Sequence, residues 1–207
     1  MKIFCVGRNY AAHAKELGNA VPEAPVIFMK PDTAVLPKGA DFVYPSFTSD
    51  LHYEIELVLR IGKTAKNISA ANALSCVDAI TVGIDFTARD VQADLKAKGL
   101  PWEKAKAWDH SAIVGEWKPF NAEANADVAG ADILFSLTKN GQTAQSGTTQ
   151  DMIYSFETLL EHISGYFTLS PGDLIYTGTP AGVGPCLPGD TLTGFLGEEK
   201  LFELAIK

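Results

Sequence analysis

The stretch HYEIELVLRI, residues 52–61, decides the fold class that the sequence predicts. Apolar side chains occupy every second position, a period of two that is typical of a β-strand. One face of this strand is apolar along its whole length: Tyr53, Ile55, Leu57, Leu59 and Ile61. Such a strand needs neighbouring strands and a core to cover its apolar face, so the sequence predicts a protein built around β-sheet.

The opposite face of the same strand carries Glu54 and Glu56, with His52 beside them. Side chains two apart on a strand point to the same side, about 6.5–7 Å apart. Two carboxylates on one face repel each other unless solvent or a cation separates them, and Mg²⁺ binds oxygen ligands of this kind. Two interpretations stay open: part of a metal site, or the wet face of an ordinary strand.

Further strand patterns recur along the chain. KIFCV opens it and stops at Gly7, Asn140-Gly141 is a strong hairpin signal, and DTLTGFL is expected to pair with KLFELAI. The fold class is therefore predicted as α+β and β-rich, with a few peripheral helices packed outside a rolled sheet. We expect residues 1–207 to form a single domain, with a surface loop at residues 121–131.

Three helices are predicted. YAAHAKEL forms a short one that ends at Gly18, and TARDVQADLKAKG carries a capping box in which Thr87 is followed three residues later by Asp90. The clearest helical stripe runs over residues 149–163. Its apolar members are Met152, Ile153, Phe156, Leu159, Leu160 and Ile163.

AITVGIDF, residues 79–86, is a second strand whose polar face consists of small residues that lead up to Asp85. The small side chains are expected to leave space for a ligand or a metal beside this carboxylate. Asp85 alternatively caps the following helix, although Thr87 suits that position well. The residues alone leave both roles open.

His13 and Glu16 are spaced i, i+3 on the first helix and therefore share a face. A carboxylate can orient an imidazole and stabilise its protonated form, which suits a general base. The alternative is an ordinary surface contact. A helix this short is marginal without packing or ligand contacts, and if functional it would serve as a lid.

Arg89, with Gln92 three residues later, and Lys106 are candidate anion contacts, or else solvated surface charges. The glycine-rich TGTPAGVGP, residues 177–185, lacks the order of a nucleotide-binding loop. It is expected to make a tight turn that brings backbone N–H groups and Thr179 near a bound group.

Composition excludes several classes of protein. With 25 acidic and 17 basic residues the formal net charge is -8, which argues against a general nucleic-acid binder or an anionic membrane partner. The N-terminus does not fit a signal peptide, because its apolar run is short and Arg8 interrupts it. Three cysteines without a C-x-x-C pair indicate reduced, mostly buried thiols, so we expect a cytoplasmic protein.

Taken together, the motifs resemble the fumarylacetoacetate hydrolase family over nearly the whole chain. Their order and spacing are specific, and the subgroup resembled is the acylpyruvase and oxaloacetate decarboxylase type, which consists of the catalytic domain alone. The motifs are GRNYAAHAKE, PVIFMKPDTA, LHYEIEL, GIDFTARDVQ, GLPWEKAKAWDHSA, NG followed by QSGTTQDMI, and PGDLIYTGTPAGVGP.

The resemblance implies a mixed β-sandwich roll, a homodimer, and Mg²⁺ or Mn²⁺ held by Glu54, Glu56 and Asp85. It implies that His13 and Glu16 form a catalytic pair on a lid helix, with Lys106 as a third catalytic group. The substrate contacts that it implies are Arg8, Arg89, Gln92 and Thr179.

The activity that the resemblance favours is hydrolysis of the C–C bond of a 2,4-dioxo acid of the acylpyruvate or fumarylpyruvate type. The same site supports decarboxylation of oxaloacetate, or an isomerase or tautomerase reaction, because each passes through an enolate of a 2-oxo acid. A non-catalytic protein that binds a metal or an oxo acid is the alternative outside enzymes, and it has no need of His13 with Glu16.

Overall fold

The computed structural model describes residues 1–16, 18, 20–120 and 132–207, so the loop predicted at 121–131 lies outside the described residues. The described helices are α1 Ala11–Glu16, α2 Ala70–Ala73, α3 Arg89–Ala97, α4 Glu103–Lys106 and α5 Phe156–Tyr166. The described strands are β1 Ile3–Gly7, β2 Val26–Lys30, β3 Leu51–Tyr53, β4 Ile55–Ile61, β5 Val77–Asp85, β6 Thr87–Ala88, β7 Ala112–Val114, β8 Lys118–Pro119, β9 Leu134–Lys139, β10 Gln142–Thr148, β11 Leu174–Tyr176, β12 Gly184–Pro185, β13 Thr191–Leu196 and β14 Glu199–Ala205.

Among the described residues these strands form three sheets, and the architecture is the expected β-rich α+β fold. The largest sheet has the order β2-β1-β11-β4-β5-β7, with β8 also paired to β5; a second has the order β10-β9-β13-β14, and a third β12-β3-β6. Pairing is antiparallel except between β1 and β11, which run parallel. Both predicted hairpins, β9–β10 and β13–β14, are present.

β4 lies in the middle of the largest sheet and is buried on both faces. Leu57 and Leu59 point into the main core, whereas Val58 packs in a second apolar cluster with Tyr176. The polar face of the quoted stretch is therefore not a wet one: Glu54 and Glu56 are only 5% and 2% exposed. Burying two carboxylates is costly unless cations or hydrogen bonds compensate their charge, which directs attention to their partners.

The predicted capping box is wrong. Thr87 lies in β6, where its buried hydroxyl donates to Glu54 Oε1 instead of capping α3. The Asp90 carboxylate accepts hydrogen bonds from Thr48 and Ser49 outside the helix. The residue types matched a cap, but tertiary partners for both side chains are stronger competitors.

The helix predicted over 149–163 begins later than expected. A single 3₁₀ turn covers Thr149–Asp151, and α5 starts only after Ser155, whose hydroxyl accepts from Thr158 N. Between them, Ile153 N donates to the Asn9 carbonyl. The amphipathic stripe is confirmed from residue 156 onward, but Met152 and Ile153 are not helical, because their segment is bonded to the turn after β1.

No helix among the described residues is both long enough and apolar enough to cross a membrane. Cys5, Cys76 and Cys186 are buried and unpaired, as expected.

Candidate active site

Three carboxylates converge because of the register between β4 and β5. Glu56 pairs with Gly83 across the two strands, and Asp85 N donates to the Glu54 carbonyl at 2.9 Å. Glu54, Glu56 and Asp85 therefore occupy neighbouring positions on one face, where strand geometry brings cross-strand side chains close. Each contributes a carboxylate oxygen to a buried group whose atoms all lie within 4.8 Å of one another.

Two buried lysines contact these carboxylates. Lys106 Nζ, at the end of α4, donates to Glu54 Oε2 and to Asp85 Oδ2, both at 2.7 Å. Lys30 Nζ, at the end of β2, lies 2.8 Å from Asp85 Oδ1. That ion pair falls outside hydrogen-bonding geometry, so Asp85 Oδ1 has no hydrogen-bond donor among the described residues.

Glu54 is the most heavily compensated of the three carboxylates. Besides Lys106, it accepts hydrogen bonds from Arg89 Nη2 at 2.6 Å and from the Thr87 hydroxyl at 3.0 Å. Arg89 also donates to Gln92 Oε1 at 2.7 Å, which fixes the guanidinium along the first turn of α3. Burial alone raises the pKa of Glu54, but the charges of Lys106 and Arg89 outweigh it and hold the pKa below its ordinary value.

Glu56 has the opposite environment. Its Oε2 accepts a hydrogen bond from Gly178 N at 2.7 Å, and it forms no ion pair with any described residue. Burial, followed by the charges of Asp85 and Glu54, raises the pKa of Glu56 well above its ordinary value. A carboxyl held in this way gains a counter-charge when a cation enters beside it.

This donor set fits a hard divalent cation. Three buried carboxylates supply only oxygen atoms, as Mg²⁺ and Mn²⁺ prefer. Asp85 Oδ1 lacks a hydrogen-bond donor among the described residues, and Glu56 lacks a cationic partner among them. A cation held by Glu54, Glu56 and Asp85 would satisfy both.

His13 and Glu16 are paired on α1, as their spacing predicts. His13 Nδ1 lies 3.2 Å from Glu16 Oε2, and the imidazole is buried. The Glu16 carboxylate also accepts from Gly182 N at 3.1 and 3.3 Å, so it joins α1 to the glycine-rich turn. With Nδ1 donating to a carboxylate, Nε2 is the nitrogen left to exchange protons.

A cavity of about 50 Å³ lies beside these groups, with Phe28 and Trp102 among its walls. The predicted site residues that line it are Arg8, His13, Glu54, Glu56, Asp85, Arg89, Gln92, Lys106 and Thr179. Arg8 has a φ of 62°, a region that non-glycine residues seldom adopt and that clusters at functional sites. The sharp turn at Arg8 leads the chain directly from β1 towards α1.

A larger groove of about 600 Å³ lies elsewhere, between residues 35–42, 113–117 and 201–207. Four of the charged side chains on its rim form two ion pairs, Lys38 with Glu116 and Lys207 with Asp41. Size alone does not make it the reactive site, since the carboxylates and the His13–Glu16 pair lie at the smaller cavity.

Comparison with known proteins identifies the family of this chain. The family model described as fumarylacetoacetate (FAA) hydrolase C-terminal matches residues 2–206. The chain belongs to the fumarylacetoacetate hydrolase family. Among family relatives, the oxaloacetate tautomerase YcgM of Escherichia coli is 43% identical over 93% of this chain and 86% of its own length. The mitochondrial oxaloacetate tautomerase FAHD1 of Arabidopsis thaliana is 44% identical over 93% of this chain and 84% of its own.

A solved structure of the family shows the same fold with ligands bound. The fumarylpyruvate hydrolase from Pseudomonas aeruginosa, in complex with Mn²⁺ and pyruvate, superposes with a TM-score of 0.90 at 37% identity. The match covers 100% of this chain and 89% of that one. The fumarylacetoacetate hydrolase family therefore includes a member that binds Mn²⁺ together with a 2-oxo acid.

Sequence reasoning missed two buried polar residues that hold the site. Lys30 ends the strand in PVIFMKPDTA, and a lysine that closes an apolar strand was the signal available. Gln145 lies on β10 in a different sheet. Its Oε1 accepts a hydrogen bond from the backbone N–H of Ile55, the residue between the two glutamates. Only the tertiary structure brings Gln145 to this place, because β10 is distant from β4 in the sequence.

One expectation about neighbouring residues is wrong. The small side chains before Asp85 do not leave space for a ligand: a Cβ on Gly83 would lie 2.3 Å from the Ile113 carbonyl oxygen. His52, which the sequence places beside the two glutamates, lies on β3, and its Nε2 contacts Asp50 Oδ1 at 3.0 Å.

Proposed function

We propose that this protein is a divalent-metal-dependent enzyme that interconverts the keto and enol forms of oxaloacetate. Two relatives that match more than nine-tenths of the chain are named oxaloacetate tautomerases. A third, from Dictyostelium discoideum, is named oxaloacetate decarboxylase and is 41% identical. These names favour the tautomerase or decarboxylase alternative over the C–C hydrolase that the motifs first suggested.

The observation that carries the proposal is a buried carboxylate cluster in a cavity with cationic walls. Three buried carboxylates lie together, and the cationic side chains of Arg8, Arg89, Lys96 and Lys106 line the same cavity. A divalent cation held by the three carboxylates would add two further positive charges. Oxaloacetate carries two carboxylates and would compensate positive charge of this kind, whereas an uncharged ketone would not.

Each predicted residue then has a defined task. Glu54, Glu56 and Asp85 would hold the cation, which would supply positive charge to stabilise a developing oxyanion. Arg8, Arg89, Gln92 and Thr179 contact the substrate's carboxylates and oxo group, while Lys106 adds positive charge beside them.

Proton transfer falls to His13. Nε2 takes the proton from C3 of the keto form, and a proton is returned to the 2-oxo oxygen to give the enol; the reverse sequence regenerates the ketone. Glu16 keeps the ring oriented and stabilises the imidazolium between the two transfers.

The test is the rate at which enol oxaloacetate decays to the ketone, followed by ultraviolet absorbance in a weakly catalysing buffer. Protein loaded with Mg²⁺ or Mn²⁺ should accelerate this decay in proportion to its concentration. Protein treated with EDTA should not, and activity should return on adding either metal. Identical decay with and without purified, metal-loaded protein would rule out the tautomerase.

A second candidate, C–C hydrolysis of an acylpyruvate, has its own support. The structural relative that binds Mn²⁺ and pyruvate is a fumarylpyruvate hydrolase, and a His13–Glu16 pair can also activate water. Pyruvate release from acetylpyruvate, fumarylpyruvate and oxaloacetate, measured in parallel, separates cleavage and decarboxylation from tautomerisation. Turnover of any of them disposes of a purely binding role.

His13→Ala discriminates among the reactions. Hydrolysis needs water activated by His13 and should be lost, and tautomerisation needs its proton transfer and should fall by about 10²–10⁴-fold. Decarboxylation needs neither, because loss of CO₂ itself generates the enolate. Retained decarboxylation with both other activities lost would identify it as a side reaction of the same site.

We further propose that the protein is a homodimer, as the resemblance implies, and that it is cytoplasmic, as its unpaired cysteines indicate. Light scattering during size-exclusion chromatography measures the mass directly, and a mass near 22.2 kDa would contradict the dimer.

A further inference from the structure

The amide of Gln145 contacts Thr179, which lines the cavity, and the orientation of the amide is determined by its hydrogen-bond partners. Its Oε1 accepts from Ile55 N at 2.9 Å, and its Nε2 donates to the Pro180 carbonyl at 3.0 Å and to Thr179 Oγ1 at 2.9 Å. Rotating the amide by half a turn would set N–H against N–H and carbonyl against carbonyl. The Gln145 side chain is therefore a donor towards Thr179.

This orientation determines what the Thr179 hydroxyl can do. A hydroxyl carries one hydrogen and two lone pairs, and Gln145 already donates to one lone pair. Thr179 Oγ1 donates to no acceptor among the described residues, although the residue is only 3% exposed and lines the carboxylate cavity. Its hydrogen is therefore available to an acceptor inside the cavity.

We propose that Gln145 is a positioning residue that makes Thr179 a hydrogen-bond donor to an anionic oxygen of the bound 2-oxo acid. The inference rests on the proposed function insofar as the ligand is a 2-oxo acid, but not on which reaction follows. By the same amide, Gln145 ties Ile55, between Glu54 and Glu56, to the turn that carries Thr179. It thereby sets the position of the ligand donor relative to two of the carboxylates.

The probe is oxalate, an unreactive mimic of a 2-oxo acid, and the measurement is calorimetric affinity for the Mn²⁺-loaded protein. Thr179→Val removes the hydroxyl at nearly constant volume. It should weaken oxalate binding by about tenfold or more, as expected for the loss of a hydrogen bond to a charged acceptor. Thr179→Ser keeps the hydroxyl and should restore most of the affinity. Mn²⁺ affinity is measured separately for each variant.

A double-mutant cycle tests whether Gln145 acts through Thr179. When Thr179 is present, Gln145→Met should weaken oxalate binding by about threefold or more, because the Thr179 hydroxyl can then turn to other acceptors. In the Thr179→Val background, the same substitution should weaken oxalate binding by less than about twofold. Gln145→Glu serves as a second variant, since it still accepts from Ile55 N while turning the Thr179 hydrogen towards itself. The charge that it adds acts in both backgrounds and cancels in the cycle.

The outcomes separate this inference from the proposed function. Wild-type protein that binds Mn²⁺ but no oxalate would overturn the 2-oxo acid site and the inference with it. If wild-type protein binds oxalate and Thr179→Val binds it with the same affinity, the inference is overturned while the 2-oxo acid site stands. Equal losses for both Gln145 variants in both backgrounds would show that Gln145 supports the fold and does not orient Thr179.

Discussion

Lys30 Nζ lies 2.8 Å from Asp85 Oδ1, and the lysine side chain is completely buried. The ammonium also donates to the Lys106 carbonyl and to Ser111, so one side chain joins β2, the end of α4 and a carboxylate of the site. A charge enclosed in this way is stable only while its partners remain in place, because both side chains of the pair are withdrawn from bulk solvent.

Lys30→Met should therefore be strongly destabilising. Removing one partner leaves the Asp85 charge with Lys106 alone, and breaking a buried pair typically costs about 3–5 kcal/mol. Denaturant unfolding of the metal-free protein measures the loss. Lys38→Met is the matched control: its pair with Glu116 is 2.6 Å long but 85% and 63% exposed, so the free energy of unfolding should change little. Equal effects of the two substitutions would contradict the role given to Lys30.

Glu56→Gln should change metal-free and metal-loaded stability in opposite directions. In the metal-free protein the folded-state pKa of Glu56 is raised, first by burial and then by the charges of Asp85 and Glu54. The folded protein then holds a proton that the unfolded chain releases above its ordinary pKa, so the free energy of unfolding falls as pH rises through the interval between the two values. Glutamine has no proton to lose and keeps an oxygen for Gly178 N.

The measurement is thermal unfolding of wild-type protein and Glu56→Gln between pH 5 and pH 8, with EDTA and with Mn²⁺. Without metal, the melting temperature of the variant should rise relative to that of the wild type as pH increases. With Mn²⁺, wild type should be the more stable, and its Mn²⁺ affinity should increase with pH because the ligand must be deprotonated. A Mn²⁺ affinity that is unchanged by Glu56→Gln would remove this residue from the metal site.

Oxalate should bind the metal-free protein poorly. Lys30, Lys106 and Arg89 already pair with Asp85 or Glu54, so without the cation these three side chains offer a dianion little uncompensated positive charge. The bulk surface carries the formal net charge of -8 and repels it weakly. Calorimetry should show at least about a hundredfold tighter oxalate binding with Mn²⁺ than with EDTA, equivalent to about 2.7 kcal/mol. Comparable affinities under the two conditions would mean that the protein cations, not a metal, bind the ligand.

Gly83→Ala should destabilise the sheet that carries the carboxylates. Gly83 lies opposite Glu56, and an added Cβ would meet the Ile113 carbonyl oxygen at 2.3 Å, so backbone must move. Overpacking of this kind typically costs about 1–3 kcal/mol, and we expect Mn²⁺ affinity to fall as well. Gly165→Ala on α5 is the control: a Cβ there meets no atom within 4 Å, so stability should be unchanged or higher. A neutral Gly83→Ala would show that the strands can separate locally without cost.

The strands and hairpins could be predicted because their signals are local. Period-two alternation marks β4, and Asn140-Gly141 adopts positive φ at both residues, as a tight hairpin requires. The helix caps were less predictable, because Thr87 and Ser155 both have capping side chains but only Ser155 lacks a stronger tertiary partner. Local propensity decides such cases only when no long-range contact competes for the same group.

The sequence by itself determined which residue types carry the chemistry and placed Glu54 and Glu56 two residues apart on one face of an extended stretch, which the structure divides into β3 and β4 at Glu54. Only the tertiary structure decided that their face is buried, that β5 sets Asp85 opposite Glu54, and that Lys30 and Gln145 reach the same place from β2 and β10. The physical reason is that spacing along a strand is a property of the backbone, whereas burial and charge compensation depend on segments distant in the chain. A pair of glutamates becomes a candidate metal site through those distant partners.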